Sequence, residues 1–332
     1  MTVLPQDLSL FSISFFFLQL LVLTSSSALI ILYFYLRFTT SRDPDLSRAE
    51  SEKSFLDPND GTRKPFPLIS DPPTVQLSLV VPAYNEQDRF PIMIKETLEY
   101  LHKRKQRDSE FTYEILVVND GSKDNTSKVV MEYVKKEGPD RMRLLDFVRN
   151  RGKGGAVRAG CLSARGKRIL FLDADGATDI KGLDELEKAM NSVSSDSTSP
   201  AIVVGSRAHL EDEAVANRSF FRNILMYGFH FLVFFLCVKG VRDTQCGFKL
   251  LTRSAVDRIF TNLHIERWAF DVEMLYIAQC LNIPIKEVAV NWQEIEGSKM
   301  IPVFSWIQMG RDLLFIRLRY MFGFWTIKAK TS

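Results

Sequence analysis

The chain has 332 residues, of which 46% are hydrophobic and 25% are charged, and its formal net charge is +3. This length suits one large α/β domain or two ordinary domains, and the apolar content excludes disorder throughout the chain. The small net charge gives no indication of nucleic-acid binding, and a mean hydropathy near zero argues against a multi-pass membrane protein. The four cysteines lie far apart without paired spacing, which argues against a zinc module or a disulfide scaffold.

The N-terminal segment is a long apolar run. Leu8–Leu36 contains no charged residue, and as a helix it is long enough to cross the ~30 Å hydrocarbon core of a bilayer. A cleaved signal peptide is the alternative, but it requires a basic leader, whereas this leader carries Asp7 and the basic residues follow the run. We therefore expect residues 1–7 to form a short lumenal tail and 8–36 a single-pass anchor, with the rest of the chain in the cytosol.

Residues 37–74 contain six prolines and many charges but few aliphatic side chains. This composition predicts a tether with no core of its own, and a small folded subdomain is the alternative.

From residue 75 onward, short apolar runs alternate with segments of helical periodicity. The predicted strands are 77–82, 113–120, 142–147, 168–173 and 201–206, and the predicted helices are 88–105, 124–136, 155–164 and 181–191. Such alternation predicts βαβ units and a Rossmann-like α/β domain, with a mostly parallel sheet and helices on both faces. Ligands bind such sheets beyond the carboxyl ends of the strands.

Polar motifs follow four of the predicted strands. They are PAYNE at 82–86, NDGS at 119–122, the loop RNRGKGG at 149–155 and DADGAT at 173–178. Asp173 and Asp175 lie two residues apart, and two such carboxylates suit Mg²⁺ or Mn²⁺ with diphosphate oxygens completing the shell. A solvated acidic turn is the alternative. The glycine-rich loop lacks the spacing of known phosphate-binding motifs, but its basic residues before a helix suit an anionic ligand.

Aromatic residues concentrate near the two ends of the chain and in residues 220–235, which together hold most of the 25 phenylalanines. The uncharged stretch Ile224–Val238 is short for a membrane span, so we interpret it as an interfacial helix, with a buried core helix as the alternative. Residues 301–332 mix aromatic with basic residues and are expected to form amphipathic helices at the membrane interface. An ordinary face for a partner helix is the alternative for that segment.

The motifs PAYNE, NDGS, RGKGGAVRAG, DADGAT, GSR and DTQCGFK, in this order, resemble the inverting family 2 glycosyltransferases of the GT-A fold. Over 75–298 the chain is most similar to the polyprenyl-phosphate hexosyltransferases, and DADGAT, WAFDVE and the apolar N-terminus point to the glucosyl-transferring members. The resemblance implies a GT-A catalytic domain at 75–300 that uses UDP-glucose, dolichyl phosphate and Mg²⁺ or Mn²⁺. It further implies an endoplasmic reticulum enzyme that makes a lipid-linked glucose donor for N-glycan assembly.

The same resemblance assigns roles to residues on the donor side. The nucleoside pocket would be lined by Pro82, Ala83, Tyr84 and Glu86, with Glu86 near the ribose. Asp120 would accept a hydrogen bond from the uracil imide, and Lys153 would lie against the base or the phosphates. Asp173 would contact the ribose and the metal shell, and Asp175 would ligate the cation.

On the acceptor side, the resemblance places Arg207 at the phosphate of the lipid and makes it catalytic together with Asp173 and Asp175. Arg218 and Arg222 lie one helical turn apart and would complete this phosphate site. Asp271 and Glu273 are candidates for orienting the sugar hydroxyls, and an acidic pair favoured by a helix N-terminus is the alternative.

One position departs from the related mannosyl-transferring enzymes, which often carry a polar metal-binding side chain where this chain has Ala177. Water or Thr178 would then complete the metal shell. Three other functions remain open: mannosyl transfer to dolichyl phosphate, transfer to another acceptor such as a polysaccharide or ceramide, and a catalytically silent nucleotide-sugar-binding scaffold.

Overall fold

The computed structural model describes the backbone of residues 6–194, 199–210, 220–295 and 304–328, and the side chains of 14–194, 199–210, 228–295, 305 and 307–328. The chain divides into two compact units. The smaller comprises Met1–Arg42 and Leu318–Thr326, and the larger comprises Asp43–Arg317 and Ile327–Ser332.

The smaller unit contains helix α1 (Gln6–Thr39). Within it, Ser14–Thr39 is long and apolar enough to cross a membrane, and its side chains are exposed except for the half-buried Leu32 and the buried Leu36. The helix continues past the predicted end at Leu36, and Arg37 in its last turn complements the negative end of the helix dipole. Tyr33 packs edge-on against Phe322, with 5.5 Å between ring centroids.

In the larger unit, residues 43–74 depart from the predicted tether. A 3₁₀ turn at Glu50–Lys53 leads into a hairpin of β1 (Ser54–Leu56) and antiparallel β2 (Arg63–Pro65). Phe55 and Phe66 are buried, and the guanidinium of Arg143 lies 5.1 Å from the centroid of Phe55 and 5.6 Å from that of Phe66. The tether prediction is therefore corrected here, because aromatic and cationic contacts order a segment that has few aliphatic residues.

The centre of the larger unit is a seven-stranded sheet. Its strands are β3 (Val75–Ala83), β4 (Tyr113–Asn119), β5 (Met142–Asp146), β6 (Gly166–Leu172), β7 (Ile202–Ser206), β8 (Phe248–Thr252) and β9 (Ile285–Ala289). The spatial order is β5-β4-β3-β6-β8-β7-β9, and only β8 runs antiparallel to its neighbours in this sheet. The five predicted strands and the mostly parallel sheet are confirmed, whereas β8 and β9 were not predicted.

Helices cover both faces of the sheet, as predicted. The helices described after β3 are α2 (Phe90–Arg107), α3 (Thr126–Glu137), α4 (Lys153–Leu162), α5 (Gly182–Val193), α6 (Phe220–Leu236), α7 (Arg253–Phe260), α8 (Phe270–Cys280) and α9 (Phe304–Met321). On β3, Leu79 and Val81 join a core with α2, α3 and α5, whereas Val80 faces Gly160 of α4 on the other side. Because β3, β4, β5, β6 and β7 all run in one direction, the polar motifs after these strands meet at one edge.

Candidate active site

A cavity of about 630 Å³ opens at this edge of the sheet, within the larger unit. Its volume lies in the range of pockets that bind small molecules. Ten of the predicted site residues line it, namely Pro82, Ala83, Tyr84, Glu86, Asp120, Lys153, Asp173, Asp175, Arg207 and Asp271. Segments distant in sequence therefore converge on one chamber.

Asp120 is held by the glycine-rich loop. Its Oδ1 accepts a hydrogen bond from the Arg151 backbone N–H (2.6 Å), and its Oδ2 accepts from Gly152 N (2.9 Å) and Asn150 Nδ2 (2.8 Å). Gly152 has φ +93°, a conformation that favours glycine and lets two successive N–H groups face one carboxylate. Burial raises the pKa of Asp120 to about 6 despite these donors. A carboxylate offers about four acceptor positions, so one remains for a further donor in the cavity.

Lys153 begins helix α4 and pairs with one carboxylate of the cavity. Its Nζ lies 2.6 Å from Asp173 Oδ1. Burial works against the charge on Lys153, but the fields of Asp173 and Asp271 outweigh it and raise the pKa of this lysine. Asp271 Oδ1 in turn accepts a hydrogen bond from the buried Lys249 at 2.5 Å, and burial raises the pKa of Asp271. A helix N-terminus carrying a lysine is a favourable place for a phosphate group.

Asp173 and Asp175 offer the donor set that a hard divalent cation prefers. Mg²⁺ is usually bound by one or two carboxylates, with substrate phosphates and water supplying the other ligands. The described residues contain no group of three or more His, Cys, Asp or Glu placed to hold an ion. Thr178 is not among the described lining residues, and Ala177 contributes a backbone N–H to Asp175 Oδ1 at 3.0 Å. The site therefore fits a cation that arrives with a diphosphate.

Arg207 is oriented by a partner that was not predicted. Its Nε and Nη2 donate to Asp243 Oδ2 (2.7 Å) and Oδ1 (2.9 Å), and its guanidinium lies 5.3 Å from the ring centroid of Trp292. This two-pronged pair leaves three of the five guanidinium N–H groups for another anion. Arg218 and the side chain of Arg222, the other predicted phosphate ligands, lie outside the described residues.

The prediction that Glu273 orients the sugar is corrected. Its carboxylate is fully buried and accepts hydrogen bonds from His264 N (3.1 Å) and Ile265 N (2.6 Å), and it is not among the described residues that line the cavity. Positions two apart on a helix lie about 200° around its axis, so Asp271 and Glu273 occupy opposite faces of α8. Glu273 fixes the chain before α8, and only Asp271 faces the cavity.

Several lining residues escaped prediction. Polar examples are Arg89, which forms a two-pronged pair with Glu86 (2.7 Å and 2.5 Å), and Asp243. Asp243 opens the motif DTQCGFK, so its sequence context offered a signal. The apolar lining consists chiefly of Leu210, Phe229, Trp268, Trp292, Ile295 and Met309. These side chains come from segments whose contact with the site depends on tertiary packing.

Comparison with known proteins identifies the family. The model of "Glycosyl transferase family 2" matches residues 78–260. The chain belongs to glycosyl transferase family 2. Proteins named dolichyl-phosphate beta-glucosyltransferase from Mus musculus and Homo sapiens are 58% and 57% identical over 314 residues, covering 94% of this chain and 97% of each relative. The relative of that name from Saccharomyces cerevisiae is 42% identical over 269 residues, covering 78% of this chain and 79% of its own length.

Solved structures agree with the fold of this family 2 chain. The crystal structure of glucosyl-3-phosphoglycerate synthase from Mycobacterium tuberculosis in complex with uridine diphosphate aligns with a TM-score of 0.51 at 14% identity. The alignment covers 74% of this chain and 80% of that one. The predicted GT-A fold class is thus confirmed.

Proposed function

We propose that this family 2 glycosyltransferase transfers glucose from UDP-glucose to dolichyl phosphate with inversion, giving dolichyl β-D-glucosyl phosphate. One observation supports the proposal above all. A single cavity holds polar side chains that can bind a nucleoside diphosphate, and the same cavity holds Arg207, which can bind a phosphate, and an apolar lining that can accept a lipid. The high identity to relatives named for this activity supports the choice of sugar and acceptor. The product is a lipid-linked glucose donor for N-glycan assembly.

The donor binds at the ends of β3, β4 and β6. Asp120 uses its remaining acceptor position for the imide N–H of uracil, and the PAYNE turn flanks the nucleoside. The diphosphate lies at the N-terminus of α4, where Lys153 offsets its charge. Asp271, held by Lys249, accepts hydrogen bonds from hydroxyl groups of the glucose.

The acceptor enters from the apolar side of the cavity. Phe229, on α6, lines the cavity, whereas Phe231, Phe234 and Phe235 of the same helix are 65%, 56% and 68% exposed. An exposed apolar surface of this kind is typical of a membrane contact, so one helix links the bilayer to the reaction chamber. Arg207 then meets the phosphate at the end of the lipid with its N–H groups not used by Asp243.

The reaction is a single displacement. A phosphate oxygen of dolichyl phosphate forms a bond to the anomeric carbon as the bond from that carbon to the UDP oxygen breaks on the opposite face, so the α-linked donor gives a β-linked product. A phosphate monoester is largely a dianion near pH 7 because its second pKa is about 6. The nucleophile therefore needs no general base, and the chain's residues act by aligning two anions and excluding water.

A divalent cation completes the donor site. Asp175 and Asp173 would hold Mg²⁺ or Mn²⁺, which supplies charge stabilisation to the departing diphosphate when it is bound. We further propose that α1 anchors the enzyme in the endoplasmic reticulum membrane by a single pass and that the larger unit lies in the cytosol. The basic residues that follow the apolar run support this orientation.

The test uses the full chain, purified in detergent with dolichyl phosphate and Mg²⁺ or Mn²⁺, and radiolabelled UDP-glucose or GDP-mannose in parallel reactions. We expect label in the organic phase from UDP-glucose alone, and we expect EDTA to abolish it. Label from GDP-mannose would instead indicate a mannosyltransferase. UDP-glucose binding without lipid labelling would favour another acceptor or a silent binder.

The variant Asp175→Ala tests the proposed cation site independently of the stability of the fold. It should lose transfer while keeping the thermal melting profile of the wild type, because it removes one partly exposed carboxylate and no core contact. Unchanged transfer by a well-folded Asp175→Ala protein would contradict the metal assignment.

A further inference from the structure

A buried carboxylate outside the matched family domain contacts the glycine-rich loop. Glu52 lies in the 3₁₀ turn that precedes β1, 26 residues before the matched region begins at 78, and its exposed fraction is 0%. Its Oε1 accepts a hydrogen bond from Val148 N at 3.0 Å, and its Oε2 accepts from Arg151 Nη2 at 2.8 Å. Glu52 therefore holds the loop at Arg151 and also holds Val148, the residue that precedes the loop.

The same loop holds Asp120 from the other side. Arg151 is bonded through its side chain to Glu52 and through its backbone N–H to Asp120 Oδ1 (2.6 Å). A second N–H of the guanidinium donates to Ser47 O at 2.7 Å, and the guanidinium lies 4.8 Å from the ring centroid of Phe147. One residue thus connects the segment before β1 to the carboxylate proposed to read the nucleoside.

Glycine content explains why the loop needs an external anchor. Glycines stand at 152, 154 and 155, and a chain of this composition loses much conformational freedom when it is ordered. Without its anchors, the loop would lose this conformational entropy only when a ligand binds. That loss weakens the affinity for the ligand without changing the chemical step.

We propose that Glu52 is a positioning residue of the donor site, and that it sets the affinity for the uridine nucleotide by fixing the loop whose N–H groups orient Asp120. This inference rests on the proposed function in one respect, namely that Asp120 binds the nucleoside. It assigns a role in donor binding to a segment that follows the apolar anchor in sequence and lies outside the family domain.

The test compares Glu52→Gln with Asp57→Asn in the full-length protein. Asp57 is also buried, but its carboxylate accepts hydrogen bonds from Lys64 (2.5 Å) and Asn59 N (2.9 Å), within its own hairpin. For Glu52→Gln we expect the Kd of UDP and the KM of UDP-glucose to rise about tenfold, since coupled neighbouring groups interact at this scale. The kcat and the KM of dolichyl phosphate should change by less than about twofold.

The control should keep the wild-type affinity for UDP even if its melting temperature falls. A double-mutant cycle adds a second readout: Arg151→Gln should weaken UDP binding as Glu52→Gln does, and combining the two should add little. If Glu52→Gln does not fold, Arg151→Lys replaces it, because lysine keeps the charge but cannot make both side-chain contacts.

Two results would overturn the inference. One is a folded Glu52→Gln protein that binds UDP like the wild type, and the other is an about tenfold loss of kcat with an unchanged KM of UDP-glucose. A wild-type protein that does not bind UDP at all would instead refute the proposed function, so the two failures are distinguishable.

Discussion

Gly247 determines where Asp173 can place its carboxylate, and replacing it with alanine tests the site directly. A Cβ built at position 247 would lie 2.0 Å from Asp173 Oδ2 and 2.4 Å from its Cγ, whereas real Cβ contacts are essentially never shorter than 3.0 Å. The Asp173 carboxylate must therefore move by about 1 Å or more to accept the methyl group.

This movement should lower the stability of the fold only slightly but reduce the reaction rate strongly. Asp173 is a short, partly exposed side chain that lines the cavity, and an off-rotamer position costs about 0.5–1.5 kcal/mol of stability. The displacement breaks the 2.6 Å contact with Lys153 and moves one of the two carboxylates proposed to hold the cation. A misplacement of about 1 Å in a reacting assembly can reduce the rate by about 100-fold.

We therefore expect Gly247→Ala to fold and to show a kcat/KM for glucosyl transfer about 100-fold below the wild type. The assay follows labelled glucose into the lipid phase, and thermal melting reports on the fold. Gly228→Ala is the matched control, since a Cβ there meets no atom of the described residues within 4 Å. Wild-type activity in a folded Gly247→Ala protein would refute the requirement for Asp173 at its observed position.

Three further predictions concern charge. Below a pH of about 6 the affinity for UDP-glucose should fall in a calorimetric titration, because protonated Asp120 no longer accepts the imide N–H, and Asp120→Asn should remove this pH dependence. Because the folded pKa of Asp120 is raised, its protonation favours the folded state, so the loss of affinity cannot be attributed to unfolding through this residue. Glu114→Gln should lower the free energy of unfolding by about 3–5 kcal/mol in a denaturant titration, since it leaves the buried Arg143 without its charged partner, whereas the exposed Glu50→Gln should have little effect. Arg207→Lys should raise the KM of dolichyl phosphate about tenfold with little change for UDP-glucose, and equal effects on both substrates would contradict the acceptor assignment.

The parts of the fold that the sequence predicted are those held by uniform apolar runs. β4 is a continuous stretch of buried residues, β3 is buried without interruption from Leu77 to Val81, and both strands were predicted almost to their ends. β8 was not predicted, because Lys249 interrupts its apolar pattern. That lysine is fully buried and is paired with Asp271 on α8, and this pairing depends on tertiary structure. β9 is a partly exposed edge strand with no continuous apolar run.

The candidate site also contains residues that the sequence predicted and residues that it did not. Asp120 and Asp175 follow buried strands, and strand direction alone brings such residues to one edge. The prediction for Glu273 was wrong because the motif shows that Glu273 is close to Asp271 along the chain, but it does not show that the two side chains point to opposite faces of α8. Glu52 was missed for another reason: a single buried carboxylate in a proline-rich, charged segment looks like any solvated residue until its partner across the fold is known.

The charges of the cavity support the proposed use of a divalent cation. Among the described lining residues, seven carboxylates (Glu86, Asp120, Asp173, Asp175, Asp243, Asp271 and Glu294) face four cations (Arg89, Lys153, Arg207 and Arg267). The pairs between Glu86 and Arg89, Lys153 and Asp173, and Arg207 and Asp243 cancel most of the positive charge. Two anionic substrates would then enter a chamber that is already acidic, and like charges in a low-dielectric cavity repel strongly. A divalent cation that arrived with the diphosphate would reverse this balance at Asp175, its proposed ligand, so the same acidic groups that would repel the donor alone would favour the donor with its cation.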